Sequence, residues 1–215
     1  MNIISEGIIL CDVSCCGTWL LYYGNEGVIL EMPPKMVNRN YVDSIPAESV
    51  KQIARELNVT IKYLAVSHSH WDHVDGWIDY LERFEKAVFI AHKAQLTREF
   101  NPKFPNKVIF QENEYLANLH GEPVHFIYAP KHSTSDVLIV FRGAQFTGDW
   151  WLGPGDPNPN NLPFHIVKDS IERVLSFPTR KNYRIHTLIA VHANDTRYNV
   201  VYENIMRSTL TNKIN

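Results

Sequence analysis

A short segment of this chain concentrates side chains of the kind that bind metal ions. From Ser67 to His73 the sequence reads Ser-His-Ser-His-Trp-Asp-His. Its possible ligands are His68, His70, Asp72 and His73. Imidazole nitrogens and carboxylate oxygens bind zinc, iron and manganese in proteins. This dense spacing favours a metal site over the alternative, a polar surface loop that happens to contain several histidines.

The apolar pattern around this segment predicts how further ligands reach it. Residues 61–66 form an apolar run that predicts a buried strand, which ends directly before the segment. Three later predicted strands are also followed closely by a possible ligand. These strands are 124–129, 144–147 and 187–191, and the residues that follow them are His132, Asp149 and His192. Because ligands of layered α/β proteins collect at the carboxyl ends of strands, we expect these four strand ends to share one site.

Further strands and two helices are predicted to hold these strand ends in place. The additional strands are predicted at 7–10, 18–23, 27–31, 87–91, 107–110 and 136–141. Helices are predicted at 46–57, capped by Ser44, and at 77–84. The alternation of strands and helices predicts a layered α/β fold.

Two more helices are predicted towards the end of the chain. One carries Val167, Ile171, Val174 and Leu175 on one face and is predicted to stop at Pro178, because proline breaks helices. The last helix is predicted from the apolar spacing of Tyr198, Val201, Tyr202 and Ile205, with Asn194 or Asp195 as its cap.

Length and composition are those of one globular domain over residues 1–215. The formal net charge of -2 gives no reason to expect binding to nucleic acid or to an anionic membrane. No apolar stretch reaches the length of a membrane span, and residues 1–6 lack the basic start of a secretory signal. We therefore expect a cytoplasmic protein that acts on a small molecule, with a homodimer as an open alternative to a monomer.

Three cysteines, Cys11, Cys15 and Cys16, lie close together near the start of the chain. An odd number of neighbouring cysteines does not form a disulfide framework. They are predicted to be reduced thiols packed in or beside an early strand, with a separate metal site as the alternative.

Taken in their order along the chain, the possible ligands resemble those of the metallo-β-lactamase superfamily. The resemblance rests on His68-x-His70-x-Asp72-His73, followed by His132, Asp149 and His192, and it covers essentially the whole chain. It implies an αββα sandwich of two mixed β-sheets flanked by helices, with a two-metal site at one edge. The branch that the sequence resembles is the one of glyoxalase II and the lactonases, without an accessory domain.

The resemblance also implies a role for each ligand. His68, His70 and His132 would bind the first metal ion, Asp72, His73 and His192 the second, and Asp149 would bridge the two. The implied cofactors are two divalent ions, zinc foremost, with iron or manganese as alternatives. A hydroxide between the ions is then the expected nucleophile, because a bound water has its pKa lowered to about 7. Asp72 is expected to orient that hydroxide.

Two motifs depart from the family pattern. The acidic Asp-Thr-Gly turn of the family is replaced here by Glu31-Met32-Pro33, so Glu31 is a candidate for the missing carboxylate beside the ligands. The usual Gly-His-Thr-Pro-Gly is replaced by Lys131-His132-Ser133-Thr134-Ser135. Lys131 is a candidate contact for an anionic substrate group, with an exposed lysine in a turn as the alternative.

Other branches of the family fit the sequence less well. True β-lactamases of broad specificity have a cysteine where Asp149 stands, and flavin-linked diiron reductases typically have a glutamate where His70 stands. Glyoxalase II enzymes carry a further helical part, for which the residues after His192 leave little room. The RNA-processing members need large inserts, and none is visible.

The segment 150–163 is expected to select the substrate. It starts directly after Asp149 and is rich in proline, glycine and asparagine, and long irregular loops are often functional. Trp150 and Trp151, together with Trp71 inside the histidine segment, are candidate apolar walls for a substrate. Core packing is the alternative for each tryptophan. His165 is a weaker candidate at the far end of the loop.

The leading hypothesis is therefore a dinuclear metal-dependent hydrolase of a small ester, thioester or lactone. The first alternative is an iron-dependent oxidoreductase of the same fold, since imidazole and carboxylate suit iron too. The second is a non-catalytic module that keeps its metal ions for stability and binds a partner.

Overall fold

The computed structural model describes residues 2–35, 45–153, 162–192, 196–198 and 200–204. Within these ranges the strands form two sheets, one of seven strands and one of six. The first sheet contains β1 Asn2–Ser5, β2 Ile8–Val13, β3 Gly17–Tyr23, β4 Glu26–Leu30, β5 Thr60–Ala65, β6 Val88–His92 and β7 Lys107–Phe110. The second contains β8 Glu114–Leu119, β9 Glu122–Tyr128, β10 Val137–Phe141, β11 Ala144–Phe146, β12 Thr187–Ile189 and β13 Thr196–Tyr198.

Both sheets are mixed, as predicted. Strands β1 to β4 pair antiparallel, and β5, β6 and β7 then add in parallel. In the second sheet β8 to β11 pair antiparallel, β12 runs parallel to β11, and β13 is antiparallel to β12. The parallel strands place several carboxyl ends on one edge of each sheet.

Helices cover the outer face of each sheet, so the layers run helix, sheet, sheet, helix. The helices are α1 Pro46–Glu56, α2 Trp71–Val74, α3 Trp77–Arg83 and α4 Phe164–Lys181. Alternate residues of one strand pack on opposite faces of the sheet. Leu20 packs in the hydrophobic cluster that contains the buried side chains of α1, whereas Leu21 packs in the cluster between the two sheets. In the second sheet Ile139 faces the first sheet, and Val140 packs in the cluster of α4. The predicted αββα sandwich is confirmed.

Several elements differ from the prediction. Strands β1 and β8 and the short helix α2 were not predicted from the sequence. The prediction that Tyr198 lies in a helix is wrong, because residues 196–198 form β13 and extend the second sheet antiparallel to β12. A helical turn begins only at Tyr202. Ile205 and the proposed caps Ser44, Asn194 and Asp195 lie outside the described residues. No helix of the described ranges is both long and apolar enough to cross a membrane.

The prediction that a helix stops at Pro178 is also wrong, since α4 continues to Lys181. A proline inside a helix has no N–H for the carbonyl four residues earlier, here that of Val174. The hydroxyl of Tyr202 lies 3.2 Å from that carbonyl and 2.7 Å from Gln145 Oε1. Tyr202 therefore supplies the donor that Pro178 lacks, and the helix can continue.

Replacing Tyr202 with phenylalanine is expected to destabilise the fold. The Tyr202→Phe change leaves the Val174 carbonyl, which faces the buried helix side, without its donor, at a cost of about 1–3 kcal/mol. The measurement is the free energy of unfolding in urea. Tyr23→Phe on the exposed end of β3 is the control, and equal stability of the two variants would contradict the assignment.

Candidate metal centre

Four chain segments bring the predicted ligands to one edge of the sandwich. His68 and His70 lie in the loop after β5, and Asp72 and His73 lie in the first turn of α2. The other three candidates follow separate strands of the second sheet: His132 follows β9, Asp149 follows β11 and His192 follows β12. The two sheets are joined here by a 2.7 Å hydrogen bond from the Val137 amide to the Ser67 carbonyl. The expectation that these strand ends meet is confirmed.

Gly148 allows the Asp149 turn to approach the histidine loop. Its φ is 56°, in the left-handed region that favours glycine. A Cβ at this position would lie 2.6 Å from Ser67 Oγ, which is far inside contact distance. Glycine at position 148 therefore lets the turn that carries Asp149 lie directly against the loop that carries His68.

The first group of possible ligands consists of His68, His70, His132 and Asp149. His70 Nδ1 lies 3.0 Å from His68 Nε2 and 3.1 Å from His132 Nε2. Asp149 Oδ2 lies 3.9 Å from His68 Nε2 and 3.7 Å from His132 Nε2. Ligand atoms about 2.0–2.2 Å from a tetrahedral zinc ion are about 3.3–3.6 Å from one another. The spacing of these four atoms fits one such ion.

The second group consists of Asp72, His73, Asp149 and His192. Asp149 Oδ1 lies 3.4 Å from His73 Nε2 and 3.1 Å from His192 Nε2. Asp72 Oδ2 lies 3.5 Å from His73 Nε2 and 3.7 Å from His192 Nε2. The two oxygens of Asp149 thus face different groups, Oδ2 the first and Oδ1 the second. This arrangement is what a carboxylate that bridges two ions requires.

Buried His73 provides a test of whether the residues fit a metal ion. Its side chain is fully buried, and among the described residues neither ring nitrogen has a partner in hydrogen-bonding geometry. The nearest carboxylate oxygens lie 3.3–3.5 Å from its ring nitrogens. A buried imidazole without hydrogen bonds is costly. An ion held by His73 Nε2 would remove that cost on one side of the ring, so the donor set fits a divalent metal.

Contacts behind the imidazoles fix which nitrogen faces the site. His192 Nδ1 lies 3.0 Å from the Cys15 carbonyl. Because a carbonyl only accepts, Nδ1 must carry a proton, and Nε2, which faces Asp149, is the nitrogen that could bind an ion. His68 Nδ1 lies 3.1 Å from Ser67 Oγ and presents Nε2 in the same way. His73 Nδ1 lies 3.3 Å from Glu31 Oε2.

The imidazoles of the first group are electrostatically suited to bind as neutral ligands. Burial lowers the pKa of His68 well below its usual range, and the neighbouring His73 adds to the effect. Burial likewise lowers the pKa of His70, with a further contribution from His132. His68 and His70 are therefore neutral near pH 7, which is the form that binds metal.

The pKa values of the imidazoles in the second group shift in the opposite direction. Burial alone would lower the pKa of His73, but the carboxylates of Glu31 and Asp149 outweigh it and hold that pKa well above its usual range. The close contact with Asp149 also raises the pKa of His192. Burial would raise the pKa of Asp149, but His192 and His73 hold it far below its usual value. Without a metal ion, the carboxylates therefore favour the protonated form of both imidazoles in this group.

The cysteines lie beside this second group, a position that was not predicted from the sequence. The Sγ atoms of Cys15 and Cys16 lie 3.1 and 3.2 Å from the Asp72 carbonyl. All three cysteines are free thiols, as predicted, and burial raises the pKa of Cys11 and Cys16 to about 12. The sequence carried no signal for this contact, because 56 residues separate Cys16 from Asp72.

Glu31 is the buried carboxylate behind His73. It is 1% exposed, its φ is 67°, and its two oxygens lie 3.1 and 3.3 Å from the Ser67 amide. It therefore faces two donors, the Ser67 N–H and the His73 Nδ1–H. The position agrees with the expectation that Glu31 replaces the carboxylate of the family's Asp-Thr-Gly turn.

Replacing Glu31 with glutamine is expected to weaken metal binding at the second group. One oxygen of Glu31 becomes an NH₂, which cannot accept, and the negative charge that lies 3.3 Å from His73 Nδ1 is lost. Changes to residues that orient metal ligands typically cost about 10- to 100-fold in affinity. The measurement is competition for zinc against a chromophoric chelator. Glu82→Gln on exposed α3 is the matched control, and wild-type affinity in Glu31→Gln would contradict the role.

The four predicted substrate contacts differ in exposure: one is exposed and three are buried. Trp71 is 58% exposed beside the ligands, in keeping with a substrate contact that stays a prediction. Lys131, Trp150 and Trp151 are buried: Lys131 Nζ donates to the Trp150 carbonyl, and Trp150 Nε1 donates to the Ala129 carbonyl. These contacts hold the turn after β11 against the end of β9. We therefore correct the expectation for these three residues from substrate contact to packing.

Most of the predicted substrate loop, residues 154–161, lies outside the described residues. His165, at its far end, is exposed in the first turn of α4.

Ser135 and Asp136 are two residues near the ligands that sequence reasoning missed. Their burial, at 2% and 4% exposed, was their only distinguishing feature and is not visible in sequence.

Comparison with known families agrees with this site. The profile of the metallo-beta-lactamase superfamily matches residues 42–166, which is more than half of the chain. The chain therefore belongs to the metallo-β-lactamase superfamily. The matched region contains six of the seven candidate ligands; His192 lies beyond it.

Curated relatives include hydroxyacylglutathione hydrolases. The protein of that name from Prochlorococcus marinus strain MIT 9301 is 25% identical over 140 residues, which are 64% of this chain and 55% of the relative. That from Buchnera aphidicola subsp. Schizaphis graminum is 23% identical over 162 residues, or 75% of this chain and 58% of the relative. The match spans little more than half the length of these relatives.

Solved structures share the fold at low sequence identity. DIM-1 metallo-beta-lactamase superposes with a TM-score of 0.70 at 14% identity, covering 97% of this chain and 95% of that one. The metallo-beta-lactamase family protein TTHA1429 of Thermus thermophilus gives 0.65 at 12% identity, with 96% and 79% covered. ETHE1 of Myxococcus xanthus gives 0.63 at 16% identity, with 94% and 86% covered. These likenesses establish the fold.

Proposed function

We propose that this chain is a metal-dependent hydrolase with a dinuclear site, which cleaves a small ester, thioester or lactone. The observation that carries the proposal is the position of Asp149, whose Oδ2 faces three imidazoles and whose Oδ1 faces two imidazoles near Asp72. Zinc is the proposed ion for both groups, since imidazole and carboxylate ligands suit it. The proposal keeps the cytoplasmic location and the small-molecule substrate expected from the sequence.

Divalent ions at such a site polarise a substrate carbonyl and lower the pKa of water to about 7. The residues of this chain provide the rest. His68, His70 and His132 hold three imidazole nitrogens on one side of Asp149. His73, His192 and Asp72 hold the other side, and Asp72, whose side chain is 19% exposed, is the residue that we propose to orient the attacking water. Trp71 is the proposed apolar contact for the acyl part of the substrate.

The relatives support the reaction class. Their name, hydroxyacylglutathione hydrolase, describes hydrolysis of an acyl conjugate. The candidate ligands of this chain lie in one cluster, and its Asp149 offers one oxygen to each ligand group. The identity of the acyl group and of its leaving group is open to direct measurement.

Elemental analysis of the isolated protein, joined to an assay of esters, thioesters and lactones, tests the proposal. We expect two zinc ions per chain and turnover of at least one of these classes. His132→Ala should lose the ion of the first group and the activity, whereas His165→Ala on the exposed start of α4 should keep both ions and the activity. Two bound ions without turnover in any class would refute the hydrolase assignment. Iron alone, with oxygen consumption in place of hydrolysis, would support the oxidoreductase alternative.

A further inference from the structure

One buried carboxylate fixes the loop that carries His132. Oδ2 of Asp136 accepts hydrogen bonds from the backbone amides of Lys131, His132 and Ser133, at 2.9, 2.7 and 2.9 Å. Its Oδ1 accepts a further hydrogen bond from Ser133 Oγ. The loop is closed at its base by a 2.9 Å hydrogen bond from the Ala129 amide to the Asp136 carbonyl. The backbone on both sides of His132 is therefore held by one side chain.

Ser135 joins this loop to the one that carries His68 and His70. Its Oγ accepts a hydrogen bond from the Ser69 amide at 3.1 Å and lies 3.0 Å from Ser69 Oγ. It also lies 3.0 Å from Ser133 Oγ, within the His132 loop. Ser69 is the residue between the two histidines, so a single hydroxyl connects the backbones of all three imidazoles of the first group.

We propose that Ser135 and Asp136 form a clamp that positions His68, His70 and His132, and that this clamp sets the affinity of the first ligand group separately from that of the second. The inference rests on the proposed function, because it assumes that the three imidazoles hold an ion. Ser135 and Asp136 are positioning residues, which act through the backbone of the two loops. A metal ligand must lie within about 0.2 Å of its ideal distance, so a small loop displacement is costly.

The second group is held by different contacts, which is why the clamp should be selective. Asp72 and His73 lie on α2, whose first turn is closed by a 3.0 Å hydrogen bond from the His73 amide to the His70 carbonyl. His192 is held by the Cys15 carbonyl, and His73 is backed by Glu31. The shared residue Asp149 lies in the turn after β11. Loosening of the clamp therefore reaches the second group only indirectly among the described contacts: through His70, through the ring of His68 against that of His73, and through Lys131, which holds the Trp150 carbonyl beside Asp149.

The two groups can be measured one at a time. In a His192→Ala background the remaining zinc ion reports on the first group, and in a His132→Ala background it reports on the second. Asp136→Asn removes the charge of the clamp with little change in shape, and Ser135→Ala removes the link to Ser69 without changing any charge. Asp169→Asn on the exposed face of α4 is the matched control. Affinities are read by competition with a chromophoric chelator, and unfolding temperatures are recorded for every variant.

We expect Asp136→Asn to weaken zinc binding at the first group by about 10- to 100-fold and to leave the second within about twofold. Ser135→Ala should act in the same direction with a smaller effect, and Asp169→Asn should match the parent. Unchanged affinity at the first group in both clamp variants would overturn the inference. Equal weakening of both groups together with a lower unfolding temperature would also overturn it, because that pattern is general destabilisation.

Amide hydrogen exchange of the chelator-treated protein separates this inference from the proposed function. The amides of residues 131–133 should exchange faster in Asp136→Asn than in the parent, while amides of β12 stay unchanged. If the parent bound no metal, the hydrolase proposal would fail, yet faster exchange at these three amides would still support the clamp. Unchanged exchange there would overturn the clamp whether or not metal binds.

Discussion

Replacing Asp149 with asparagine is expected to weaken metal binding at both ligand groups and to slow hydrolysis strongly. The carboxylate offers one oxygen to each group, at 3.7 Å from His132 Nε2 and 3.1 Å from His192 Nε2. Asparagine keeps one oxygen and places an NH₂, which is no ligand, on the other side. It also removes the negative charge that lies between five imidazoles. We expect the metal content to fall from two ions per chain to one or fewer, and activity to fall by roughly 10³-fold, which is about 4 kcal/mol in the barrier.

Three measurements on Asp149→Asn give the result. Metal content is determined by elemental analysis after dialysis, activity by the ester, thioester or lactone assay, and folding by circular dichroism. Asp169→Asn, an exposed change of the same chemistry, controls for the preparation. If Asp149→Asn kept two ions and wild-type activity, the bridging role would be refuted. If one ion stayed and activity survived, catalysis would require only one of the two ligand groups.

Lowering the pH is expected to empty the second group before the first. In the metal-free protein, contacts with carboxylates raise the pKa values of His73 and His192, which favours the protonated form of both imidazoles. Binding of an ion at this group must displace both protons. Burial lowers the pKa values of His68 and His70, so these two ligands of the first group have no proton to lose.

The sign of the pH effect follows from these displaced protons. Each proton released makes the apparent affinity fall about tenfold per pH unit below the raised pKa, so loss of two protons gives up to about 100-fold per unit. As the pH falls through the raised pKa values of His73 and His192, the second ion should dissociate while the first is retained, and activity should follow the second. Zinc titrations of the His132→Ala and His192→Ala backgrounds at several pH values measure each group. Parallel loss of both ions would contradict this order.

The metal-binding segment was predictable because its ligands are local in sequence. Four candidate ligands lie between His68 and His73, and the apolar run before them predicts the strand that ends there. The order of strands and helices predicted a layered α/β fold, and the resemblance to the superfamily implied the two mixed sheets flanked by helices. The hairpin of β8 and β9 was missed although His120-Gly121, both at positive φ, is a turn of two residues at that point.

Burial and side-chain neighbours were the properties that the sequence pattern predicted poorly. Pro178 favours a helix end by local sterics, but α4 passes through it because Tyr202 supplies a donor to Val174 from a distant part of the chain. Trp150 and Lys131 follow strands in the same way as the ligands do, yet they turn inwards and bind the backbone of neighbouring segments. Nothing in residue spacing distinguishes a side chain that faces the site from one that faces the core.

By itself, the sequence determined the chemistry of the ligands, their order along the chain and the α/β class of the fold. Only the tertiary structure decided that Asp149 turns one oxygen to each group, that Glu31 backs His73, and that Cys15 fixes the ring of His192. The physical reason is that these contacts join segments far apart in sequence, across two sheets. Local patterns specify which residues can bind a metal, whereas the packing of the sheets specifies which atoms meet.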